Sequence, residues 1–337
     1  MSHGVNGFET ILNELSGGAR RYFGAAQAEI ELQHRVDGPY SSVLRVGIRT
    51  ERETRRAYVK ILKPRGSGAE ELARVTRFLD REYRATRSLH DRLEQDREIG
   101  AVRPLACLPE YHALVTEEVP GRPLGAILQE SRAVTPELTA IASRIGRWVR
   151  VYQGQADGAA PVDFSERREY FDERLRALDG RILAAGQRNA LLAAFDGLAF
   201  RLGAAPVPAV PIHADLTPMN VIVGEDGRVT VLDFTMAKTG TPHHDLAHLY
   251  FHLALTASRR RRRAPVYAAV QQAMLRGYDP GLTPDAPLFR LMLWQHAICH
   301  VAMLAERSVG PLDPVYRWFV RRRWGVCARL PVLAFQE

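Results

Sequence analysis

Residues His213–Asn220 read HADLTPMN, and Val231–Phe234 read VLDF. Asp215 is followed by Asn220 five residues later, and by Asp233 thirteen after that. Pro218 favours a turn between Asp215 and Asn220, which brings their side chains toward one place. Three oxygen-bearing side chains at this spacing match the needs of phosphoryl transfer. One carboxylate must orient an attacking hydroxyl and take its proton, and further oxygens must hold Mg²⁺ against the phosphates. Mg²⁺ takes hard oxygen ligands, one or two of them carboxylates. Asp233 and the carboxamide oxygen of Asn220 suit that role, and Asp215 is the candidate base.

A cation for the phosphate tail is the remaining requirement. Only three of the 46 basic residues are lysine: Lys60, Lys63 and Lys238. Lys60 lies in YVKIL, inside one of two segments, Ser41–Ile48 and Arg56–Leu62, that read as strands on either side of a charged turn at Thr50–Thr54. From Ala69 to about Leu93, apolar residues at Leu72, Val75, Phe78, Leu79, Tyr83 and Leu89 recur at helical steps and predict a long helix that carries Glu82. Arg103–Val119 adds two short apolar runs before Pro120-Gly121 breaks the pattern. Beyond it Leu124–Glu130, Pro136–Tyr152, Tyr170–Ala185, Asn189–Leu202 and the chain from Asp245 to the end read as helices. One short hairpin interrupts them, Ile222-Val223 with Val229–Leu232 around Glu225-Asp226-Gly227. The expected fold is α+β, with a small β-rich lobe at 1–119 and a larger, mainly helical lobe at 120–337.

HADLTPMN fits the pattern H-x-D-L-x-x-x-N of the kinase catalytic loop, and VLDF fits the start of the D-F-G metal motif. With the proline two before Asn220 and GTPHHDLA at Gly240–Ala247, the chain from about Gly38 to Tyr250 resembles the aminoglycoside phosphotransferase and choline kinase branch of the protein-kinase-like superfamily. That resemblance implies a bilobal fold and an ATP- and Mg²⁺-dependent phosphotransferase. By position it implies that Lys60 holds the α- and β-phosphates, with Glu82 as its orienting partner and Glu71 as the less suitable choice. It further implies that the Glu117 carbonyl and the Val119 N–H bond adenine, and that Tyr40–Val43, with Ser41 and Ser42, covers the phosphates without the usual glycine-rich spacing. His213 would hold the catalytic loop, and Asp245 would brace its backbone. Two departures are visible. Thr235 stands where the motif has glycine, and a β-branched residue limits the backbone there. Ala214 stands where protein kinases carry arginine.

Spacing and charge bear on the acceptor. Eleven residues separate Asp233 from Asp245, too few for a long activation loop, which disfavours a protein acceptor. A small-molecule hydroxyl is expected instead. A net charge of +8 sits poorly with a polycationic aminoglycoside, although Asp163, Glu166, Glu169, Asp172 and Glu173 cluster. A sugar or glycan acceptor is therefore favoured. An aminoglycoside acceptor is one alternative, and a regulatory, nucleotide-binding pseudokinase, which Thr235 would explain, is another.

The remaining features are blander. His244, His248 and His252 share a helical face, and His296 and His300 form a second four-residue step, but no cysteine lies near. They read as packed or acceptor-lining residues rather than as a zinc site. The arginines at 259–263 lack interleaved aromatics, so no nucleic acid is expected. They read as a solvated segment, with peripheral contact to an anionic membrane or glycan as the alternative. Three widely spaced cysteines make a disulfide framework unlikely and point to a reducing cytoplasm. Met1–Gly18, with Glu9 and Glu14, does not read as a signal peptide, and no uninterrupted apolar run approaches membrane-spanning length.

Overall fold

The computed structural model describes residues 6–154, 161–202, 206–306 and 313–327. Met1–Val5 of the segment read for a signal peptide, and 307–312 and 328–337 of the segment read as helical to the end, lie outside these residues. The chain forms two compact units. The first is Met1–Arg122 with Ile222–Ala237, and the second is Pro123–Val221 with Lys238–Glu337.

The first unit contains α1 (Asn6–Gly17), α2 (Ala19–Phe23), β1 (Ala28–Asp37), β2 (Ser41–Thr50), β3 (Thr54–Leu62), α3 (Ala69–Leu93), β4 (Ile99–Ala101), β5 (Pro104–Leu108) and β6 (Ala113–Glu117). An antiparallel sheet runs β1-β2-β3-β6-β5. Alternate residues of the central strands point inward: Leu44, Val46 and Ile48 of β2 and Ala57 and Val59 of β3 are buried with Ile11 and Leu15 of α1. Neither α1 nor β1 is among the elements expected from the sequence. Past Ala28, β1 is exposed along nearly its whole length, so it has no inward-outward alternation to read.

Pairing places Lys60 of β3 opposite Val43 on one side and Leu114 on the other. Helix α3 covers this face: its Val75 and Leu79 cluster with Leu62 and Leu114. The buried stripe of α3 is Val75, Leu79, Glu82, Thr86, Leu89 and Leu93, so a carboxylate sits in the middle of an otherwise largely apolar seam. The hairpin expected near residue 225 is present, with strands Val221–Val223 and Val229–Val231. Val229–Val231 pairs in parallel with β4, and the 3₁₀ turn Phe234–Met236 packs on α3. These contacts join Ile222–Ala237 to the first unit, although it follows the helical segments in sequence.

The second unit contains α4 (Leu124–Glu130), α5 (Pro136–Gln153), α6 (Phe164–Arg176), α7 (Gln187–Arg201), α8 (His244–Arg259), α9 (Ala264–Tyr278), α10 (Pro287–Glu306) and α11 (Asp313–Cys327). Helix α6 begins at Phe164 rather than at the expected Tyr170 because Asp163 caps it, accepting from the N–H groups of Ser165 (2.7 Å) and Glu166 (3.3 Å). Among the described helices α10 alone is long and apolar enough to cross a membrane, yet Phe289, Met292, Ile298 and Val301 are buried inside the unit, as in a core helix. A two-stranded ribbon, Val210–Ile212 against Lys238–Gly240, leads into the catalytic-loop motif on one side and toward Asp245 on the other.

Helices α5 and α9 approach so closely that two glycines are needed. A Cβ at Gly146 would lie 2.0 Å from the Met274 carbonyl oxygen, and one at Gly277 would lie 2.0 Å from that of Ser143. Backbone cannot yield as a side-chain end does, so Gly146→Ala must push the helices apart. The expected cost is about 1–3 kcal/mol, read as a lower urea midpoint at unchanged m-value. An unchanged midpoint would refute the close contact.

Candidate active site

In the first unit, one ammonium group meets three side chains. Lys60 Nζ donates to Glu82 Oε1 at 3.0 Å, to Asp233 Oδ1 at 2.6 Å, and to the hydroxyl oxygen of Thr235. An ammonium carries three donors, so its capacity is filled. The Thr235 hydroxyl lies 2.9 Å from Glu82 Oε2 and 2.6 Å from Asp233 Oδ1, and the Thr235 carbonyl accepts from Arg81 at 3.1 Å. Burial pushes the Lys60 pKa down, but the carboxylates of Glu82 and Asp233 outweigh it and hold the lysine above its ordinary value. Asp233 is also opposed by burial, and Lys60 nevertheless holds it below the usual range. Glu82, 3% exposed, is raised by burial and by its neighbour Asp233 against the pull of Lys60. Two carboxylates share one cation, and the deeper one carries the penalty.

The D-F-G-like turn takes an unexpected form. Asp233 has φ 65°, the left-handed region, whereas Thr235 is not among the residues with positive φ. The strain that glycine would relieve at residue 235 is absent, and a threonine fits there.

In the second unit, Asp245 is fully buried and accepts from the backbone N–H groups of His213 (2.8 Å) and Ala214 (2.9 Å). Burial opposes its ionisation, but the imidazole of His244 and the His213 N–H hold its pKa below the ordinary range. Ala214 has φ 63°, a conformation costly for a non-glycine residue and held here by those bonds. His213 Nδ1 accepts from the Asp215 N–H at 3.3 Å, which puts the ring proton on Nε2. Asn220 Nδ2 donates to the Asp215 carbonyl (2.8 Å) and to its Oδ2 (3.2 Å), which turns the carboxamide oxygen to the other side. Asp215 and Asn220 therefore meet, as the turn at Pro218 predicts.

The nucleotide-side candidates differ in what their side chains do. Ser42 is buried and its hydroxyl is engaged by Asp37, beside Lys63, which donates to the Gly38 carbonyl at 3.0 Å. It fastens the β1–β2 turn. Ser41, half-buried, opens β2. At the end of β6 the Glu117 N–H donates to the Arg103 carbonyl (2.9 Å), while the Glu118 N–H faces the opposite way, to Arg56 (2.8 Å). Arg45 grips the Glu118 carboxylate at 2.8 and 3.1 Å, fixing the segment that leads to half-buried Val119. Glu71 is bound to Arg74 and does not meet Lys60. Among the described residues no group of three or more His, Cys, Asp or Glu could hold a metal ion. His248 stacks on His296 with ring centroids 4.5 Å apart, and His244 meets His296 edge-on at 4.4 Å. The Thr235 hydroxyl and the arginines holding Glu118 were not foreseen; a hydroxyl directly after Asp233-Phe234 was the available signal.

Removing the cation tests the cluster. Lys60→Met leaves Glu82 buried beside Asp233 without compensation, and the loss is expected to be about 3–5 kcal/mol at pH 8. A carboxyl whose folded pKa is raised binds more protons folded than unfolded, so the folded state gains as the pH falls. The deficit should therefore shrink as the pH drops through the raised pKa of Glu82, and a second change, Glu82→Gln, should remove most of it at pH 8. Urea titrations at pH 5 and 8 read both effects, and a deficit indifferent to pH and to Glu82→Gln would refute the arrangement.

The sequence matches the phosphotransferase enzyme family over residues 38–284. No curated protein matches it. Among solved structures, a choline/ethanolamine kinase family protein from Mesorhizobium loti aligns with a TM-score of 0.55 at 15% identity, covering 98% of this chain and 97% of that one. The macrolide 2′-phosphotransferase MphH from Brachybacterium faecium gives 0.52 at 16% identity, over 94% and 98%. An aminoglycoside phosphotransferase, APH(2″)-IIa, in a ternary complex with streptomycin and ATP gives 0.51 at 12% identity, over 96% and 97%. These likenesses show the protein-kinase-like phosphotransferase fold. With residues 38–284 matched, the chain belongs to the phosphotransferase enzyme family.

Proposed function

We propose that this chain transfers the γ-phosphoryl group of ATP to a hydroxyl of a small molecule, with a sugar or glycan as the acceptor. The observation that carries the reading is the ammonium of Lys60 held between Glu82 and Asp233. In this reading Lys60 binds the α- and β-phosphates, Glu82 orients it, and the Glu117 carbonyl and Val119 N–H bond adenine. Neighbours in complex with ATP in one case and GDP in another support the use of a nucleotide. Asn220 and Asp233 are the residues that would hold Mg²⁺: both offer hard oxygens, and the amide nitrogen of Asn220 is already spent on Asp215. Bound Mg²⁺ neutralises charge on the phosphate oxygens. Asp215, its backbone fixed through His213, takes the proton of the acceptor hydroxyl as that oxygen bonds to the γ-phosphorus. The bond from phosphorus to the β–γ bridging oxygen breaks, and ADP leaves. The three cysteines are free, in keeping with a cytoplasmic setting.

The fate of the acidic cluster supports an uncharged acceptor. Asp172 is bound by Arg188 (2.8 and 3.0 Å) and Arg176 (2.6 Å), and Asp163 caps α6. Glu166, Glu169 and Glu173 are exposed. The same helix turns a cation inward, with half-buried Arg167 donating to Gln295 at 3.3 Å. A polycation would find little complementary charge there.

Transfer from γ-labelled ATP, with Mg²⁺, to pools of simple sugars and glycan fragments, amino alcohols, and aminoglycosides tests the reading. Labelling of the first pool is expected. Asp215→Asn should lower kcat by roughly 10²–10⁴-fold with little change in ATP affinity, the usual weight of a positioned base. Labelling of the aminoglycosides alone would overturn the acceptor, and equal rates in Asp215→Asn would overturn the base.

A further inference from the structure

The Lys60 cluster contains one group that the transfer reaction does not itself require, the side chain of Thr235. A glycine at this position would leave Lys60 with carboxylate oxygens alone: Glu82 Oε1 (3.0 Å), Asp233 Oδ1 (2.6 Å) and, at 3.4 Å, Glu82 Oε2. Here the Thr235 hydroxyl adds a close neutral acceptor, which also reaches Glu82 Oε2 (2.9 Å) and Asp233 Oδ1 (2.6 Å). A hydroxyl has a single proton, so it donates to one of these carboxylates at a time while accepting from the lysine. Its backbone is fixed on both sides: the N–H points at Asp233 Oδ1 (3.4 Å), and the carbonyl accepts from Arg81 (3.1 Å). The backbone at residue 235 needs no left-handed conformation, so the side chain imposes no strain.

We propose that Thr235 is a positioning residue for nucleotide binding, its hydroxyl acting as a turnable proton donor that keeps buried Glu82 satisfied while Lys60 and Asp233 turn to the nucleotide. In the structure, Lys60 donates one N–H to Glu82 at 3.0 Å and one to Asp233 at 2.6 Å. When an N–H of Lys60 goes to a phosphate oxygen, Glu82 loses part of that interaction in a place where water cannot replace it. The Thr235 proton then goes to Glu82, and Lys60 keeps the hydroxyl oxygen as an anchor. Residue 235 thus contributes through Lys60 and Glu82 without touching the reacting atoms. A hydrogen bond to a charged group of this kind, once removed, changes affinity by about 10–100-fold.

The inference rests on the proposed use of ATP, and its test keeps the two apart. ATP affinity would be measured by titration calorimetry with and without Mg²⁺, alongside kcat and KM for ATP and urea unfolding, for wild type and for Thr235→Val, Thr235→Ser and Thr235→Gly. Thr235→Val, which keeps the shape and removes the hydroxyl, should weaken ATP binding about 10–100-fold, with KM for ATP rising more than kcat falls. Thr235→Ser should restore binding to within about threefold of wild type, by keeping the charged-group bond. Thr235→Gly, which restores the usual motif, should lose affinity as Thr235→Val does. The urea midpoints identify any variant that fails to fold, and the Ser variant preserves the comparison. Equal ATP affinity in wild type and a folded Thr235→Val would overturn the inference alone. Absence of ATP binding by the wild-type chain would overturn the functional reading beneath it.

Discussion

A single half-buried ammonium decides what the first unit can be. Glu82 lies on the inward stripe of α3, where an unpaired carboxylate would be costly to desolvate. The stripe is tolerable only because Lys60, on the central strand of a five-stranded sheet, meets it at 3.0 Å. Strand register, helix phase and the return of residues 222–237 to β4 all converge on that point. Asp233 makes the cluster incomplete: one positive charge and two negative ones leave a formal surplus of one negative charge. In the proposed reading, a phosphate tail would approach such a site favourably in company with a divalent cation, by the same Coulomb terms that bind the lysine.

The second unit solves a different problem, holding a strained loop still. Ala214 sits at positive φ because the buried carboxylate of Asp245 takes both its N–H and that of His213. The ribbon of Val210–Ile212 with Lys238–Gly240 delivers the two partners, from residues 32 apart in the chain, to the same place. Arginine is not needed at residue 214, since the brace is made by backbone donors and a carboxylate. The loop is thus pinned by groups that are satisfied without any modification or activating partner.

How much of this was legible follows from what each side chain does. HADLTPMN and VLDF revealed Asp215, Asn220 and Asp233, because the chemistry demands those residue types at short separations. Lys60 stood out through its rarity, while Glu82 was indicated only by the family resemblance, on a helix that periodicity did reveal. The edge strand β1 was not, because two exposed faces leave no alternation to detect. The start of α6 was missed because the capping aspartate was counted among acidic surface residues. Thr235 was read as a defect because the glycine pattern encodes a backbone conformation, and only coordinates reveal that residue 235 does not adopt it while Asp233 does.

The two units handle charge in opposite ways, and this bears on the acceptor. Full charges are concentrated around Lys60, whereas several histidines of the second unit are kept neutral by burial. Burial pushes His248 down to about 3 and His243 and His300 to about 4, and His296 Nε2 donates to the His244 carbonyl at 3.0 Å. A cationic His248 would compete with the loop N–H groups for the Asp245 carboxylate. Keeping it uncharged leaves that carboxylate to the N–H groups of His213 and Ala214. It also leaves the interior of the second unit rich in neutral donors and acceptors, while most arginines stay on the surface. Neutral hydrogen-bonding groups discriminate among hydroxyl patterns, whereas a polycation is recognised through carboxylates, and here the carboxylates nearest to hand are already bound or facing solvent.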